Sequence, residues 1–576
     1  MATAKCPAEF FMWLTISPLG VGAMHEQIHL MLGISIRAES TAQGVSQIND
    51  TVNVMEFFST QLVPELQDTN HAARPMVKAS AIKFVSTFRN QFTTEDLTAL
   101  MPLLISHLAS PSVVVHTYAA FAIEKFLTVK VDVPGGPAKL KFGAAQLKPF
   151  LEPLFTSLFL IVDNVQLNEN QYVMKCIMRT LSVANEDVIP VTPIVLEKLT
   201  AVLGRVAKNP RNPQFNHYMF ESIAVLVRSV CSKQPEATSS FEGLLFPPFQ
   251  MVLQMDVSEF TPYVFQVLAQ LLEYRPRGSG LGEAYTMLFP PLLSPTLWER
   301  KGNVPALVRL LKAYLGKAEP ELASGHLMHM LGIFQKLLSV KATEVSACDL
   351  LCSLIVNVPL EVLQPTFKTL FQVMLQRQQY GKTPRFTRLA TNFFAVFVGK
   401  FGSQLFFDEL DSIQQGLGSM LITQIWVPRL QSDMPLRMEA KTQIVGLTRL
   451  LCDTPALLSD ANGRQVWSYM VAMVVSMLTS AGTSFIDASA TADDAPVEVE
   501  ISYDSAYSNL HFAKKPIDDP FSEIADPGLL FLQSLQKLSS SHPGCVQPMI
   551  QQGLQSDPKL SAGLESMLTK AGIRLV

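Results

Sequence analysis

The sequence predicts an all-α protein, an α-solenoid superhelix of antiparallel helix hairpins of the HEAT type, on three observations. Apolar residues recur at spacings of three and four along most of the chain, as on one face of a helix. Pro, Gly, Asn and Asp interrupt this pattern about every 15 to 22 residues, where turns are expected. The segments pair with a period of roughly 40 residues, which is typical of two-helix repeats.

The helical pattern begins with TVNVMEFFSTQLVPEL (51–66) and MVKASAIKFVSTFRNQ (76–91). It continues in the same manner through 97–110, 112–127, 147–162, 170–184 and 191–207. Followed to the C-terminus, it predicts roughly 22 helices. No stretch shows strand alternation bounded by hairpin turns, so we expect no sheet.

The composition agrees with stacked hairpins and excludes several other classes of protein. Hydrophobic residues make up 48% of the 576 residues and charged residues only 16%. Such a chain is too apolar for disorder, and stacking buries the faces that a single hairpin leaves open. The net charge of −4 provides no basic field for nucleic acid. No apolar run reaches the ~18 to 20 residues of a membrane span, the nearest being WSYMVAMVVSMLTSAG from Trp467.

Residues 481–528 break the helical rhythm and separate a solenoid, 28–480, from C-terminal helical repeats, 529–576. Acidic residues come first in this insert, and Lys514 and Lys515 follow them. The acidic residues are Asp487, Asp493, Asp494, Glu498, Glu500 and Asp504. A long insert between repeats is usually functional or disordered. Its aromatic residues favour docking of one part on another surface, and a floppy loop is the alternative.

No motif for catalysis, a cofactor or a metal is present, which predicts that the protein is not an enzyme. Glycine-rich phosphate loops, HExxH and GxSxG are all absent from the sequence. The seven cysteines show neither a disulfide framework nor a zinc spacing and suit a reducing compartment.

Two polar stretches are candidates for binding. In FNHYMFES (215–222), Asn216 is predicted to cap a helix, and His217 and Glu221 share one face and can pair. We interpret this cluster as capping with a partly buried polar contact, and partner contact is the alternative. In LWERKGNVPALVRLLKA (297–313), a turn with exposed charges precedes a helix on which Arg309 and Lys312 share a face. That basic face is either solvated or a binding surface.

Several motifs, in order, resemble one known family. They are SVVVHTYAAFAIEKF, NENQYVMKCIMRT, KNPRNPQFNHYMFES, EFTPYVFQVLAQLLE, LWERKGNVPALVRLLKA and SFIDAS with SAYSNLHFAKK. Together they look like the exporters of importin-alpha, the cellular apoptosis susceptibility family of the importin-beta superfamily. The resemblance runs from about Ile28 to Val576, and residues 1–27 match nothing in the family.

The resemblance implies a nuclear transport receptor that catalyses nothing and needs no cofactor. Members of the family wrap importin-alpha together with Ran in its GTP form in the nucleus. They carry both through the nuclear pore, meeting nuclear pore proteins, and release them in the cytoplasm after GTP hydrolysis. Nucleus, cytoplasm and nuclear envelope are therefore the expected locations, without membrane insertion or nucleic-acid binding.

Only the C-terminal half of the family, or slightly more, is matched. The N-terminal repeats that hold most of the family's Ran contact are missing from the sequence, so export by this chain alone is in doubt. Partner-binding residues are expected in the WERKGN turn and the insert, at Glu299, Arg300, Asn303, Arg309, Lys312, Asp504, Lys514 and Lys515. A generic HEAT scaffold without Ran dependence is the alternative.

Overall fold

The computed structural model describes residues 53–575, except 168, 277, 318–319, 460, 481–484, 486–508 and 516–517. Within these residues the chain is overwhelmingly helical, so the predicted all-α fold of paired helices is confirmed. Contacts divide the chain into two compact units. The first ends at Pro276 and also takes in residues 509–513, and the second contains the remaining described residues.

The first unit consists of helical hairpins joined by short turns. Its helices are α1 (Val54–Phe57), α2 (Val63–Gln67), α3 (Pro75–Thr87), α4 (Thr94–Leu108), α5 (Val113–Phe126), α6 (Ala144–Leu147), α7 (Leu151–Asp163), α8 (Gln171–Ala184), α9 (Thr192–Val206), α10 (Pro213–Cys231), α11 (Thr238–Gln254) and α12 (Thr261–Tyr274). A π turn, Phe58–Leu62, joins α1 to α2, and 3-10 turns precede α7 and α9.

The helices of the first unit form two layers. One layer contains α3, α5, α8, α10 and α12, each packed against the next, and the other contains α2, α4, α7, α9 and α11. Each hairpin consists of one helix from each layer, and the apolar faces of the two layers pack against each other. On α10 this places 15 of the 19 residues in the buried class, as a helix covered on several sides requires.

Helix starts follow the capping chemistry of the sequence. Thr93 and Asp96 form a reciprocal capping box at α4. The prediction that Asn216 caps a helix is wrong, because α10 begins three residues earlier, at Pro213. Asn212 is the cap, and its side-chain oxygen accepts a hydrogen bond from Phe215 N at 3.0 Å. Proline favours the first helical position because its missing N–H has no partner there anyway.

The expectation of no sheet is wrong at one loop. Lys130–Val131 (β1) and Lys139–Leu140 (β2) pair as an antiparallel ribbon between α5 and α6. The sequence DVPGGPA between them contains Gly135, whose φ of 73° is accessible mainly to glycine. Strands of two residues are too short to give an alternation pattern, so the sequence shows no sign of them.

The second unit repeats the hairpin plan. Its helices are α13 (Glu283–Leu292), α14 (Val304–Lys317), α15 (Pro320–Gly325), α16 (Leu327–Leu338), α17 (Glu344–Asn357), α18 (Leu360–Leu363), α19 (Phe367–Tyr380), α20 (Pro384–Phe401), α21 (Ser403–Asp411), α22 (Leu417–Leu421), α23 (Val427–Ser432), α24 (Arg437–Cys452), α25 (Ala461–Ser480), α26 (Pro527–Ser541), α27 (Val546–Leu554) and α28 (Pro558–Ala571). The C-terminal repeats thus begin at Pro527.

A continuous row of helices carries the second unit: α14, α17, α20, α24 and α26 pack in succession. The starts of α14, α17 and α20, at residues 304, 344 and 384, give two intervals of 40 residues, as the periodicity predicts. Gly446 lets α24 approach α20 closely, since a Cβ there would lie 2.7 Å from Ala395 Cα. Small residues at such crossings are what close helix packing requires.

Among the described residues, one helical stretch is long and apolar enough to cross a membrane, residues 144–163, with a mean hydropathy of 1.2. Pro149 and Pro153 divide this stretch in the sequence. Its α7 part packs against α4, α8 and α9, as a core helix of a globular protein does. Its packing is therefore that of the other helices of the layer.

Candidate partner-binding site

The WERKGN turn has the predicted form, exposed charges followed by a helix. Trp298 is its buried anchor, and its indole N–H donates to Leu292 O at 2.9 Å. Glu299 and Arg300 are exposed after it, with Glu299 lying 3.8 Å from the ammonium of Lys336. Asn303 is only 2% exposed and ends the second 3-10 turn, where its N–H donates to Arg300 O. The buried side chains of Trp298 and Asn303 therefore hold the turn, and its three charged residues, Glu299, Arg300 and Lys301, are exposed.

Helix α14 follows this turn and contacts the insert. Lys312 is half-buried, and its ammonium lies 2.8 Å from a carboxylate oxygen of Asp518. Lys515 lies 2.7 Å from the other oxygen of the same carboxylate. One aspartate thus pairs with two lysines, and the structure joins the predicted basic face of α14 to the predicted lysines of the insert.

The charges in this cluster shift one another's pKa values. Burial lowers the pKa of Lys312, but the charges of Asp518 and Asp349 outweigh burial and hold it above its ordinary value. Burial opposes ionisation of Asp518, yet Lys312 and Lys515 lower its pKa to about 2. Asp349, on α17, has a raised pKa because burial outweighs the effect of Lys312. The Lys312–Asp518 pair is therefore ionised at neutral pH.

A second polar site lies in the first unit, on α10 and α12, and receives residues 510–513 of the insert. The carboxylate of Glu221 accepts hydrogen bonds from His511 N at 2.5 Å and Phe512 N at 3.0 Å. Gln266 Oε1 accepts from Leu510 N at 2.9 Å, and Gln270 Nε2 donates to Phe512 O at 3.1 Å. We call this arrangement the main-chain latch, because three long polar side chains bind backbone atoms.

Apolar contacts complete the main-chain latch. The side chains of Leu510, Phe512 and Ala513 are fully buried. The guanidinium of Arg228, on α10, lies over the Phe512 ring at 4.7 Å, a cation–π distance. Buried backbone N–H and C=O groups need hydrogen-bond partners, and the glutamate and two glutamines bind three N–H groups and one C=O group here. The prediction that part of the insert docks through its aromatic residues holds for Phe512.

The polar cluster of FNHYMFES (215–222), on α10, is part of this latch. His217 Nε2 lies 3.5 Å from Glu221 Oε1, so the predicted pairing is confirmed, and both side chains are buried. His217 Nδ1 lies 3.2 Å from the hydroxyl of Tyr263. Burial lowers the pKa of His217 to about 4, so the ring is neutral at pH 7. The carboxylate of Glu221 therefore accepts hydrogen bonds from backbone amides and is not placed as a catalytic base.

A further anchor of the insert lies in the second unit. Asp519 accepts from the Lys441 ammonium at 2.5 Å and from Phe521 N at 3.0 Å. The Phe521 ring is buried against Gly399 of α20, where any added Cβ would overlap the ring. The ring therefore occupies space that only glycine leaves open.

The structure brings together some of the predicted binding residues and separates others. Lys312 and Lys515 share the carboxylate of Asp518, and Lys514 is exposed beside them. Arg309 lies one turn earlier on α14 and is half-buried. Asp504 lies outside the described residues.

Sequence reasoning missed several residues that hold the insert. They are Gln266, Gln270, Asp518, Asp519 and Phe521. Two glutamines spaced by four inside an otherwise apolar helix, as in FQVLAQ, were the available signal. Such residues share a helix face and must find partners when they are buried.

Two family models together cover nearly the whole chain. The model described as "CAS/CSE protein, C-terminus" matches residues 124–562, and the model "Cse1" matches residues 23–123. The chain belongs to the CAS/CSE family. The resemblance seen in the sequence motifs is thereby confirmed.

Named relatives of this CAS/CSE family member are exportins. It is 38% identical over 536 residues to Exportin-2 of Xenopus laevis, covering 92% of this chain and 54% of the relative. With Exportin-2 of Homo sapiens it shares 37% identity over 535 residues, again 92% of this chain and 54% of the relative. The chain thus spans about half the length of the curated relatives it matches.

Solved structures show the same fold. The exportin Cse1 in its cargo-free, cytoplasmic state superimposes with a TM-score of 0.80 at 26% identity, over 98% of this chain and 56% of that one. Yeast importin-beta, Kap95p, superimposes with a TM-score of 0.50 at 11% identity, over 97% and 65%. The second likeness concerns the fold alone.

Proposed function

We propose that this chain is a nuclear export receptor that binds importin-alpha together with Ran in its GTP form and returns importin-alpha to the cytoplasm. The observation that carries the proposal is membership of the CAS/CSE family over residues 124–562. The exportin relatives and the structural likeness to Cse1 support it. Binding rather than catalysis is the proposed activity, and no cofactor takes part.

The proposed contact surface is the WERKGN turn together with the lysines of the insert. Glu299, Arg300 and Lys514 are exposed and can meet a charged partner directly. Lys312 and Lys515 act through Asp518, which holds the lysine-bearing chain against α14. A partner carboxylate near Lys515 would compete with Asp518, and such charge pairs set specificity more than affinity.

Three predicted residues take other places in the proposal. Asn303 is too buried for direct contact, so we assign it to shaping the turn. Arg309 is half-buried one helical turn before Lys312, and we keep it as a proposed contact. Asp504 stays a proposed contact that lies outside the described residues.

The proposed cellular behaviour follows from the same reasoning. A receptor of this kind shuttles between nucleus and cytoplasm, meets nuclear pore proteins at the nuclear envelope, and requires neither nucleic acid nor membrane insertion.

A pull-down tests the proposal. The purified chain is immobilised and offered importin-alpha, GTP-loaded Ran, or both, and GDP-loaded Ran serves as a control. We expect more importin-alpha to be captured when GTP-loaded Ran is present. Capture of importin-alpha to the same extent without Ran would favour the alternative, a HEAT scaffold without Ran dependence. Capture of neither protein would refute importin-alpha as the cargo.

A pair of variants then tests the surface. Replacing Lys514 with Glu reverses an exposed charge of the proposed contact, and replacing Lys537 with Glu reverses an exposed charge on α26 outside it. We expect the first change to weaken capture by about tenfold, a typical effect of reversing one interface charge, and the second to leave it unchanged. Equal capture by both variants would remove Lys514 from the interface.

A further inference from the structure

A groove on the first unit, distinct from the surface proposed above, has no assigned role. It lies where α3, α5 and α8 run side by side and encloses about 580 Å³. Ligand sites in proteins commonly enclose about 300–1,000 Å³, so this groove could hold a few amino-acid residues of a partner.

One wall of the groove is apolar and open. Helix α5 begins with three valines, of which Val115 is fully buried while Val113 is 53% exposed and Val114 is also exposed. Opposite them, the exposed Tyr172 of α8 meets the edge of Phe121 with ring centroids 6.0 Å apart. Aliphatic and aromatic side chains left open beside each other favour docking of an apolar side chain.

The other wall carries positive charge. Lys83, Arg89 and Lys125 line the groove, and no Asp or Glu is among the described residues that line it. The ammonium of Lys125 lies 5.2 Å from the centre of the Phe121 ring and 3.3 Å from Glu124. Glu124 is itself buried behind the wall and pairs with Arg179 at 3.4 Å. The charged side chains that line the groove are therefore all cations, of which Lys83 is half-buried while Arg89 and Lys125 are 5% and 6% exposed.

Hydrogen bonds also fix residues that line the groove or adjoin it. Asn170 caps α8 with its side-chain oxygen, and its amide nitrogen donates to Thr117 Oγ1 at 2.6 Å. The guanidinium of Arg89 donates to Ser86 O at 2.8 Å. Preorganised walls reduce the entropy lost when a flexible segment binds.

We propose that this groove binds an acidic segment of a partner protein in which Phe or Leu lies next to Asp or Glu. The apolar side chain occupies the space between Val113 and Tyr172, and the carboxylates face Lys83 and Lys125. Three cations and an aliphatic wall favour a short peptide over single-stranded nucleic acid, which needs a longer basic track with aromatic stacking platforms. The chain's net charge of −4 also disfavours nucleic acid.

Fluorescence anisotropy with short synthetic peptides tests the proposal on the full chain. The probe is a labelled octapeptide that alternates Asp with Phe, and the controls alternate Lys with Phe or Asp with Ser. We expect the Asp/Phe peptide to bind at least about tenfold tighter than either control, because each control removes one of the two complementary features. Raising the salt from about 50 to 300 mM should weaken its binding several-fold by screening.

Matched variants locate the site. Lys83→Glu and Val113→Asp change the two walls, and Lys208→Glu and Val165→Asp make the same changes at exposed positions outside the groove. Each groove variant should weaken binding about five- to tenfold, and the controls should leave it unchanged. Circular dichroism confirms that all four variants remain folded.

Several results would overturn the proposal. Equal binding of the three peptides, or unchanged binding by both folded groove variants, would show that the groove is not an acidic-peptide site. Tighter binding of an oligothymidine than of the Asp/Phe peptide would assign the groove to nucleic acid instead. Self-association in sedimentation velocity that both groove variants abolish would assign it to a second copy of this chain.

Discussion

Replacing Glu221 with Gln, a side chain of the same shape, should increase the population of the open main-chain latch. The two carboxylate oxygens accept from His511 N at 2.5 Å and from Phe512 N at 3.0 Å. An amide turns one acceptor into an NH2 group that faces a backbone N–H. Hydrogen bonds to charged groups contribute about 1.5–3 kcal/mol each, so losing one and weakening the other costs about 2 kcal/mol. That corresponds to about a 30-fold increase in the population of the open latch.

Hydrogen exchange read by mass spectrometry measures this opening directly. Backbone amides exchange in proportion to the population of the open state when closing is fast. We therefore expect the amides of residues 509–513 to exchange about 30-fold faster in the variant. Peptides from α3 and α5 should exchange at the same rate as in the wild-type chain. In the variant, Gln266 and Gln270 still bind the rest of residues 510–513.

The matched control is Glu197→Gln, which alters an exposed glutamate on α9. It should leave exchange in residues 509–513 unchanged. Unaltered exchange there in Glu221→Gln would contradict the assigned role of this carboxylate. Faster exchange throughout the first unit would also contradict it, because Glu221 would then support helix packing rather than the latch.

Three further changes have defined outcomes. Burial lowers the pKa of His107 and His217 from 6.5 to about 4, so the unfolded chain takes up protons first as the pH falls. Stability to urea should fall by roughly 1.5 kcal/mol for each of these histidines from pH 6.5 to 5, and His107→Gln should remove the part of the fall that is due to His107, about 1.5 kcal/mol; a variant with the wild-type pH dependence would contradict it. Gly399→Ala should destabilise by about 1–3 kcal/mol in thermal unfolding because its methyl group overlaps a buried ring, whereas Gly332→Ala, in open space within a helix, should stabilise by about 0.5–1 kcal/mol. Equal effects of the two substitutions would refute the packing argument. Lys312→Met should cost about 1 kcal/mol, since the pair is partly exposed, and should speed tryptic cleavage of the chain that it anchors; unchanged cleavage would show that the ion pair does not hold it.

The fold could be predicted because its causes are local and periodic. Apolar residues at helical spacing determine which faces must be buried, and a repeat of about 40 residues determines that hairpins stack. Helix starts could be predicted less well. Asn212 and Asn216 are both good capping residues. Because the helix begins at Pro213, Asn212 is the cap. The two-residue strands β1 and β2 could not be predicted, because they leave no alternation in the sequence.

The candidate site was predicted only in part, for a different reason. Lys312 was identified from a basic helix face and Lys515 from the family resemblance, but the carboxylate that joins them, Asp518, lies about 200 residues from α14 in the sequence. Periodicity within a single helix carries no information on such long-range pairs. Glu221 was noticed as a polar residue on an apolar helix, yet its partners are backbone amides, which have no signature in a sequence.

The main-chain latch determines which sequences residues 510–513 can tolerate. Glu221, Gln266 and Gln270 bind residues 510–513 through N–H and C=O groups, so position 511 excludes proline, which has no N–H to offer. Position 512 is constrained further by the cation above its ring. Natural variants of this protein should therefore lack proline at position 511 and retain an aromatic residue directly after it.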